Sequence, residues 1–203
     1  MTSQEAVVIS GAVEGLVDEA VLRRLVQHVG ATPGPVYGKT GKRALQQRLG
    51  GYNQAARLRP WVVLVDLNDD AECAPPFRQA WLPNPAPYMC FRVAVRQVEA
   101  WLLADRDEVA RFLGISAHQV PANSEALENA KQHLVELARG SRKREIREDI
   151  VPRAEGGRAV GPAYTSRLIE FVEGPWQPEI AAVSSDSLRR CVTRLREIMQ
   201  GLA

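Results

Sequence analysis

The chain has 203 residues, of which 45% are hydrophobic, so it can bury a core in one domain or in two small ones. Its formal net charge of +2 is too small to predict a partner by itself. The three cysteines, Cys73, Cys90 and Cys191, lack the spacing of zinc ligands or of a disulfide framework. No apolar run approaches the roughly 20 residues of a membrane span, and the N-terminus does not resemble a signal peptide. The composition therefore predicts a cytoplasmic protein without membrane contacts.

The first half of the chain has the alternation of strands and helices that is typical of an α/β protein. Short apolar runs predict strands, and apolar residues at helical spacing lie between them. The third strand is wholly apolar, which is typical of a strand buried on both faces of a parallel sheet. The predicted elements are strands over residues 6–10, 35–37 and 61–65, a helix over residues 17–29 and a helix through Leu45 and Leu49.

The later part of the chain differs in composition and pattern. Residues 71–87 contain five prolines, which predicts a long irregular connection. Beyond Pro121 the apolar spacing predicts helices only. We therefore expect an α/β domain over residues 1–115, with a parallel sheet flanked by helices, and a helical C-terminal region over residues 116–203 that packs on it. The later elements are a strand over residues 88–94 and helices over residues 96–104, 105–114, 124–138, 141–150, 162–172 and 187–199.

Two acidic clusters follow the first and third predicted strands. Glu14 begins the cluster of residues 14–19, and Asp66 begins the cluster of residues 66–70. Ligands bind at the carboxyl ends of the strands in an open α/β sheet, so we expect Glu14 and Asp66 to lie within about 10 Å of each other. Converging carboxylates repel unless a cation lies between them, and such oxygen ligands suit Mg²⁺ or Mn²⁺. The predicted metal ligands are Glu14, Asp66, Asn68 and Asp70.

Each acidic residue also has a purely structural explanation. The dipole at a helix N-terminus would favour the Glu14 carboxylate, and Asp18 and Glu19 would be ordinary acids of a first helical turn. Loop geometry alone favours Asn and Asp in the turn of residues 66–70. Asp66 is harder to explain in this way, since it ends a wholly apolar strand, where a buried charge without a partner is costly.

Glu99 is a further candidate because it lies at the start of a largely apolar helix. An acid in that position is either an accessory catalytic residue or one half of an ion pair with Arg96, three residues earlier on the same helix face. The histidines have no serine or acidic motif near them, so no Ser-His-Asp triad is predicted.

Two groups of basic residues are candidates for contacts with nucleic acid. The first lies in the glycine-containing turn of residues 38–42, which would hold a phosphate at a helix N-terminus or would be an ordinary solvated turn. The second is the arginine-rich stretch of residues 139–147, and arginine forks suit phosphate groups. That stretch also contains acids, so a salt-bridged surface helix is the alternative. The predicted contacts are Lys39, Lys42, Arg142, Lys143 and Arg144.

Residues 13–19 read Val-Glu-Gly-Leu-Val-Asp-Glu, and residues 66–70 read Asp-Leu-Asn-Asp-Asp. The first segment resembles the VEGxTDE motif of Toprim-type domains, and the second resembles their acidic DxDxD motif. Toprim domains occur in topoisomerases, primases and nucleases of the OLD (overcoming lysogenization defect) family. Residues 92–105 resemble the RxAxxExEAWLLAD stretch of an uncharacterised bacterial family of Toprim-like proteins, which is often found beside ATPases in phage-defence contexts.

The resemblance implies a Toprim-like fold and metal-dependent phosphoryl chemistry. The second acidic cluster would hold Mg²⁺ or Mn²⁺, and Glu14 would bind the metal or act as general base toward the attacking water. Glu99 would be an accessory residue, and Lys39, Lys42 or Arg142 would add positive charge at the scissile phosphate. The expected activity is that of a nuclease, a hydrolase of phosphodiesters in nucleic acid.

Two departures from the motifs leave an alternative open. Val17 stands where Thr or Ser often precedes the aspartate of the first motif, and Asn68 replaces an acid of the second. The amide oxygen of Asn68 binds a metal but supplies no charge. The alternative is a non-catalytic Toprim-like module that binds nucleic acid or a partner ATPase, and a small nucleotide-processing enzyme is a third class. Self-association of the chain is left open.

Overall fold

The structure is a computed structural model that describes residues 6–153 and 157–202. The described residues form two compact units. Within the described residues, the first unit comprises residues 6–93 and 190–202, and the second comprises residues 94–153 and 157–189. The predicted division at residue 115 rests on the change from mixed to purely helical structure and stays a prediction.

The parallel sheet of the first unit consists, within the described residues, of β1 (Val8–Val13), β2 (Thr32–Gly38), β3 (Trp61–Asp66) and β4 (Met89–Ala94). The strands lie in the order β2-β1-β3-β4. β1 pairs in parallel with β2 on one side, where Val13 lies opposite Gly38, and with β3 on the other, where Ala12 lies opposite Val63. The strand order therefore reverses between β1 and β3, which creates a topological switch point.

β1 is longer at its C-terminal end than the sequence pattern predicts. It continues from the apolar residues through Gly11 to Val13. A Cβ atom on Gly11 would lie only 2.7 Å from Leu22 Cδ1, so the glycine allows the following helix to pack closely against the strand. Because the strand ends at Val13, Glu14 lies directly at the carboxyl edge of the sheet.

Gly38 ends β2 in a conformation that side chains disfavour. Its φ is 89°, and a Cβ atom there would lie 2.2 Å from the Val13 carbonyl oxygen. The next residue, Lys39, donates its backbone N–H to the same oxygen at 2.9 Å, and Gly41 N–H donates to the Glu14 carbonyl oxygen at 3.2 Å. The turn after β2 is therefore held against the end of β1.

The helices of the first half of the chain are α1 (Leu16–His28), α2 (Lys42–Ala55) and α3 (Ala74–Trp81). α1 packs against β1 and β2. α2 and α3 contribute Leu45, Leu49 and Phe77 to one buried cluster with Val63 and Val65 of β3. Full burial of an apolar side chain of this size stabilises the fold by about 1.5–3 kcal/mol. The core therefore fixes both helices near the end of β3.

Helix α3 corrects the prediction of an irregular connection over residues 71–87. Pro75 and Pro76 lie in its first turn, where a missing N–H costs no helical hydrogen bond. Cys73 occupies the N-cap position in an extended conformation. The prolines therefore begin a helix here, and Pro83 follows its end.

The second unit is built of helices. The largest buried side chains include Trp101, Phe171 and Trp176, each 0% exposed. The Trp101 indole N–H donates to Ser187 Oγ at 2.6 Å. The helices are α4 (Val98–Leu103), α5 (Arg106–Leu113), α6 (Ala130–Arg139), α7 (Arg144–Ile150), α8 (Tyr164–Glu173), α9 (Pro178–Ser184) and α10 (Asp186–Gln200), which continues into the first unit.

The predicted fold class is confirmed: the chain is an α/β protein with a parallel sheet flanked by helices and with further helices toward the C-terminus. Helix α9 is an addition to the predicted elements. None of the helices within residues 6–153 and 157–202 combines the length and apolarity needed to cross a membrane.

Candidate functional site

The carboxyl ends of β1 and β3 bring Glu14 and Asp66 together. Glu14 follows the last residue of β1, and Asp66 is the last residue of β3. Glu14 Oε1 accepts a hydrogen bond from the Asp66 backbone N–H at 2.8 Å, across 52 positions of sequence. The predicted proximity of these two residues is confirmed. Their part in a reaction stays a prediction.

A lysine lies between the two acidic clusters. The Lys42 ammonium donates to the Asp66 carbonyl oxygen at 2.6 Å and to Asp70 Oδ2, and it lies 4.0 Å from Glu14 Oε1. The Lys42 and Glu14 side chains are only 20% and 16% exposed, so their charges interact more strongly than they would in open water. Oxygens from both clusters therefore converge on one cation.

The position of Lys42 opposes the dipole of its own helix. Lys42 is the first residue of α2, where negative charge is favoured, and no acidic residue lies in the first turn. The preceding Gly41 has a φ of 90° and supplies no side-chain cap. The contacts with Glu14, Asp66 and Asp70 offset this unfavourable placement.

The turn after β3 explains the choice of asparagine at position 68. Asn68 has a positive φ of 48°, a conformation that Asn and Asp adopt more readily than most residues. Two residues later, the Asp70 side chain is 48% exposed, so its carboxylate faces solvent as well as Lys42. The backbone alone therefore favours asparagine, aspartate or glycine at position 68.

The other acids of the first motif are held by local contacts. The Asp18 carboxylate accepts a hydrogen bond from the Gly15 backbone N–H at 2.7 Å and so caps α1. Glu19 pairs with Lys39 at 2.9 Å and with Arg23 at 2.8 Å. Burial raises the pKa of the Glu19 carboxyl, but the hydrogen bonds from Lys39 and Arg23 outweigh it, and the pKa lies below its usual value. Both acids therefore have a structural explanation.

The oxygens of the site suit a hard divalent cation in their chemistry. Carboxylate, amide and carbonyl oxygens are the ligands that Mg²⁺ prefers, and those of Glu14, Asp66 and Asp70 already face the Lys42 ammonium. In the part of the chain that the structure describes, however, no group of three or more His, Cys, Asp or Glu side chains is placed to hold a metal. Metal binding would therefore require the Lys42 ammonium to move away.

Glu99 lies in the second unit and is buried, with a side chain 3% exposed. Its Oε1 atom accepts a hydrogen bond from the Tyr164 hydroxyl at 2.9 Å and lies 3.6 Å from Lys131 Nζ. A buried carboxylate is tolerated when it is paired and hydrogen-bonded in this way. These contacts explain the acid structurally, and its role as an accessory catalytic residue stays a prediction.

The basic stretch of residues 139–147 makes several contacts within the second unit. Lys143 Nζ donates to two carbonyl oxygens in the last turn of α5, each at 3.0 Å. Arg144 pairs with Glu148 at 2.7 Å. The exposed Arg142 side chain makes no hydrogen bond or ion pair within the described residues. Of the three predicted contacts, Arg142 is therefore exposed without a side-chain partner in the described residues, while Lys143 has a structural role.

A groove opens beside Lys42 and Asp70, with a volume of about 610 Å³. Arg43 of α2 and Phe77 and Trp81 of α3 line it. The sequence pattern did not predict Phe77 and Trp81 as site residues because it indicates an irregular connection where α3 forms, and Arg43 was not among the predicted contacts. The signal was the spacing of Phe77 and Trp81, which places two aromatic residues four apart on one helix face.

Comparison of the chain with protein-family models, curated proteins and solved structures finds no match. The fold and the site define an α/β protein in which acidic residues meet at the switch point of a parallel sheet.

Proposed function

We propose that this chain is a metal-dependent nuclease that hydrolyses phosphodiester bonds in nucleic acid. The proposal is carried by the contact of Glu14 with the Asp66 backbone at the switch point between β1 and β3. Open α/β proteins bind their ligands at such points, and paired acids there suit phosphoryl chemistry. Oxygens that converge on the Lys42 cation support the same conclusion.

The resemblances support a particular class of nuclease. Residues 13–19 and 66–70 are similar to two Toprim motifs, and both segments lie at the carboxyl ends of parallel strands, β1 and β3, as that fold would require. The similarity of residues 92–105 to a family found beside ATPases adds a role in phage defence, with an ATPase as partner, to the proposal.

In this proposal Glu14, Asp66 and Asp70 hold Mg²⁺ or Mn²⁺, and Asn68 adds its amide oxygen. The bound metal would lower the pKa of a water molecule and stabilise negative charge on the phosphate. The Glu14 carboxylate, oriented by the Asp66 N–H, is placed to bind the metal or to accept a proton from the attacking water.

Lys42 has two tasks in the same proposal. Without metal its ammonium neutralises the acids at the strand ends. When a metal takes that place, the ammonium becomes available to stabilise charge on the scissile phosphate. Its position 5.6 Å from the Phe77 ring, beside the groove, supports this second task.

A non-catalytic Toprim-like module is the second candidate, and Lys42 is also the observation that favours it. An internal ammonium that already balances Glu14 and Asp70 makes a metal unnecessary for folding. The neutral amide of Asn68 lowers the charge available to a metal. Such a module would bind nucleic acid or a partner ATPase without cutting.

A nuclease panel with Mg²⁺ or Mn²⁺ and single-stranded and duplex DNA and RNA tests the proposal. Glu14→Gln retains an oxygen that accepts the Asp66 N–H but removes the charge, and Asp66→Asn removes the second charge. Each change should lower the cleavage rate by about 100-fold or more. Asp69→Asn, an exposed residue of the same turn, is the matched control and should cleave like the wild type.

Cleavage that survives in both Glu14→Gln and Asp66→Asn would contradict the proposal. A wild-type protein that binds nucleic acid but cuts none of the substrates in the panel would favour the non-catalytic module instead.

A further inference from the structure

The groove beside Lys42 and Asp70 has the size of a ligand site. Its volume of about 610 Å³ lies within the range of roughly 300–1,000 Å³ that is common for pockets that bind small molecules. Residues of α2, of the turn after β3 and of α3 line it. The chemistry proposed for Glu14 and Asp66 does not explain this space.

The α3 side of the groove is aromatic. The Trp81 ring is partly exposed, and its centroid lies 4.7 Å from that of the buried Phe77 ring. Trp81 is also stacked with Phe91 of β4, with 6.2 Å between the centroids and an interplanar angle of 13°. These contacts orient the indole ring while leaving part of it accessible. Such a ring can stack with a planar ligand at little entropic cost.

The α2 side of the groove is cationic. Lys42 and Arg43 are the first two residues of α2, at the end where the dipole adds partial positive charge. Arg43 is exposed, and its side chain makes no ion pair within the described residues. Its guanidinium fork suits a phosphate group. Asp70 also lines the groove, but its carboxylate is paired with Lys42.

We infer that this groove binds one unpaired nucleotide of single-stranded nucleic acid, with the base stacked on Trp81 and the phosphate bound by Arg43. The inference rests on the proposed nuclease function and names its substrate class. In a duplex each base is already stacked on its neighbours, so an aromatic side chain reaches only an unpaired base. The strand then passes Lys42, which contacts the acids at the ends of β1 and β3.

Fluorescence anisotropy in EDTA measures binding without cleavage. The probe is a fluorescein-labelled oligo(dT) of about 12 nucleotides, within the usual site sizes of roughly 4–16 nucleotides. The wild type should bind it more tightly than a duplex of equal length. Trp81→Ala should weaken binding about fivefold or more, since this is the lower end of what stacking contributes, and Trp81→Phe should retain most of the affinity.

A second pair of variants tests the phosphate contact and leaves the packing of Trp81 against Phe77 unchanged. Arg43→Gln and Arg48→Gln change two exposed arginines of the same helix, of which Arg43 lines the groove. Arg43→Gln should reduce the slope of log affinity against log salt by about 0.7, the value for one lost contact with a single strand. Arg48→Gln should leave the slope unchanged. If Trp81→Ala lowers the unfolding temperature, this pair decides the outcome.

Equal slopes for Arg43→Gln and Arg48→Gln, or tighter binding of the duplex than of the single strand, would overturn the inference. A mononucleotide, dTMP, that binds as tightly as the oligonucleotide would overturn it too. The nuclease assay is read separately in Mn²⁺. Absence of cleavage with the expected binding pattern would therefore overturn the nuclease function while the groove site remains supported.

Discussion

Glu14 Oε1 accepts the backbone N–H of Asp66 at 2.8 Å, so a side chain at the end of β1 is joined to the main chain at the end of β3. The Lys42 ammonium completes the contact by donating to the Asp66 carbonyl oxygen at 2.6 Å. The backbone of Asp66 therefore contacts two opposite charges: its N–H donates to the Glu14 carboxylate, and its carbonyl oxygen accepts from the Lys42 ammonium. As a result, the balance of charge at the strand ends depends on one lysine of α2.

Replacing Lys42 by Met should weaken the metal-free protein and strengthen its response to metal. The Glu14 carboxylate, 16% exposed, would lose its nearby cation, and we expect the free energy of unfolding to fall by about 1–3 kcal/mol. Millimolar Mn²⁺ should then raise the unfolding temperature more than in the wild type, since ligand binding stabilises the folded state and no ammonium competes.

Thermal unfolding with and without Mn²⁺ measures both effects of Lys42→Met. Arg48→Met removes an exposed cation from the same helix and is the matched control. An identical response to Mn²⁺ in the wild type and in Lys42→Met would show that the lysine does not occupy the place of a metal.

Asn68→Asp should tighten metal binding, because it adds a negative charge to the turn after β3. We expect an increase in Mn²⁺ affinity of about tenfold, as metal affinity in proteins rises with the number of charged ligands. The fold should be retained, since Asp adopts the positive φ of 48° as Asn does. Titration calorimetry with Mn²⁺ gives the affinity, and an unchanged value would place residue 68 away from the ion.

The ion pairs of Glu19 predict a dependence of stability on pH. Because hydrogen bonds from Lys39 and Arg23 overcome the effect of burial, the pKa of Glu19 in the folded state is lower than the ordinary value of 4.5. A lowered pKa gives stability that is present above pH 4.5 and is lost as the pH falls through the folded-state pKa.

Glu19→Gln should therefore show a smaller loss of unfolding free energy than the wild type as the pH falls below about 4.5. Urea unfolding at a series of pH values measures this difference. Glu72→Gln, which changes an exposed acid without an ion pair in the described residues, should behave like the wild type. Equal acid dependence in all three proteins would contradict the prediction.

Replacing Lys143 should lower the free energy of unfolding more than replacing Arg142. Lys143 Nζ donates to two carbonyl oxygens at the end of α5, so Lys143→Ala should lower the free energy of unfolding by about 0.5–1.5 kcal/mol. Arg142→Ala should change it by less than about 0.5 kcal/mol, because the side chain is exposed. Urea unfolding of the two variants gives the comparison, and equal losses would contradict the capping role of Lys143.

The predicted contact of residues 139–147 with nucleic acid is best tested by variants that leave Lys143 unchanged. In a protein with both Arg142→Ala and Arg144→Ala, each lost phosphate contact should reduce the logarithmic salt slope on duplex DNA by about 0.9. The salt dependence of anisotropy measures the slope. An unchanged slope would assign the stretch to surface ion pairs such as that of Arg144 with Glu148.

Much of the sheet could be predicted because its signals are local. The apolar run of β3 and the helical spacing from Val17 onward depend on residues near one another in sequence, and both elements form as expected. The prolines at positions 75 and 76 predict an irregular connection, but in the structure they lie in the first turn of α3. The prediction was wrong because proline occurs both at the start of helices and after their ends. In the structure Phe77 of this helix is buried in the core, and this burial favours the helix.

The sequence by itself determined the order of strands and helices and, through that order, the meeting of Glu14 and Asp66 at one edge of the sheet. This follows because parallel strands joined by helices bring their carboxyl ends to the same edge. The tertiary structure decided which charges neutralise each other. Lys42, at the start of α2, contacts Asp66 and Asp70 across 24 and 28 positions, and such a pairing depends on how α2 packs against β3, which no local pattern encodes.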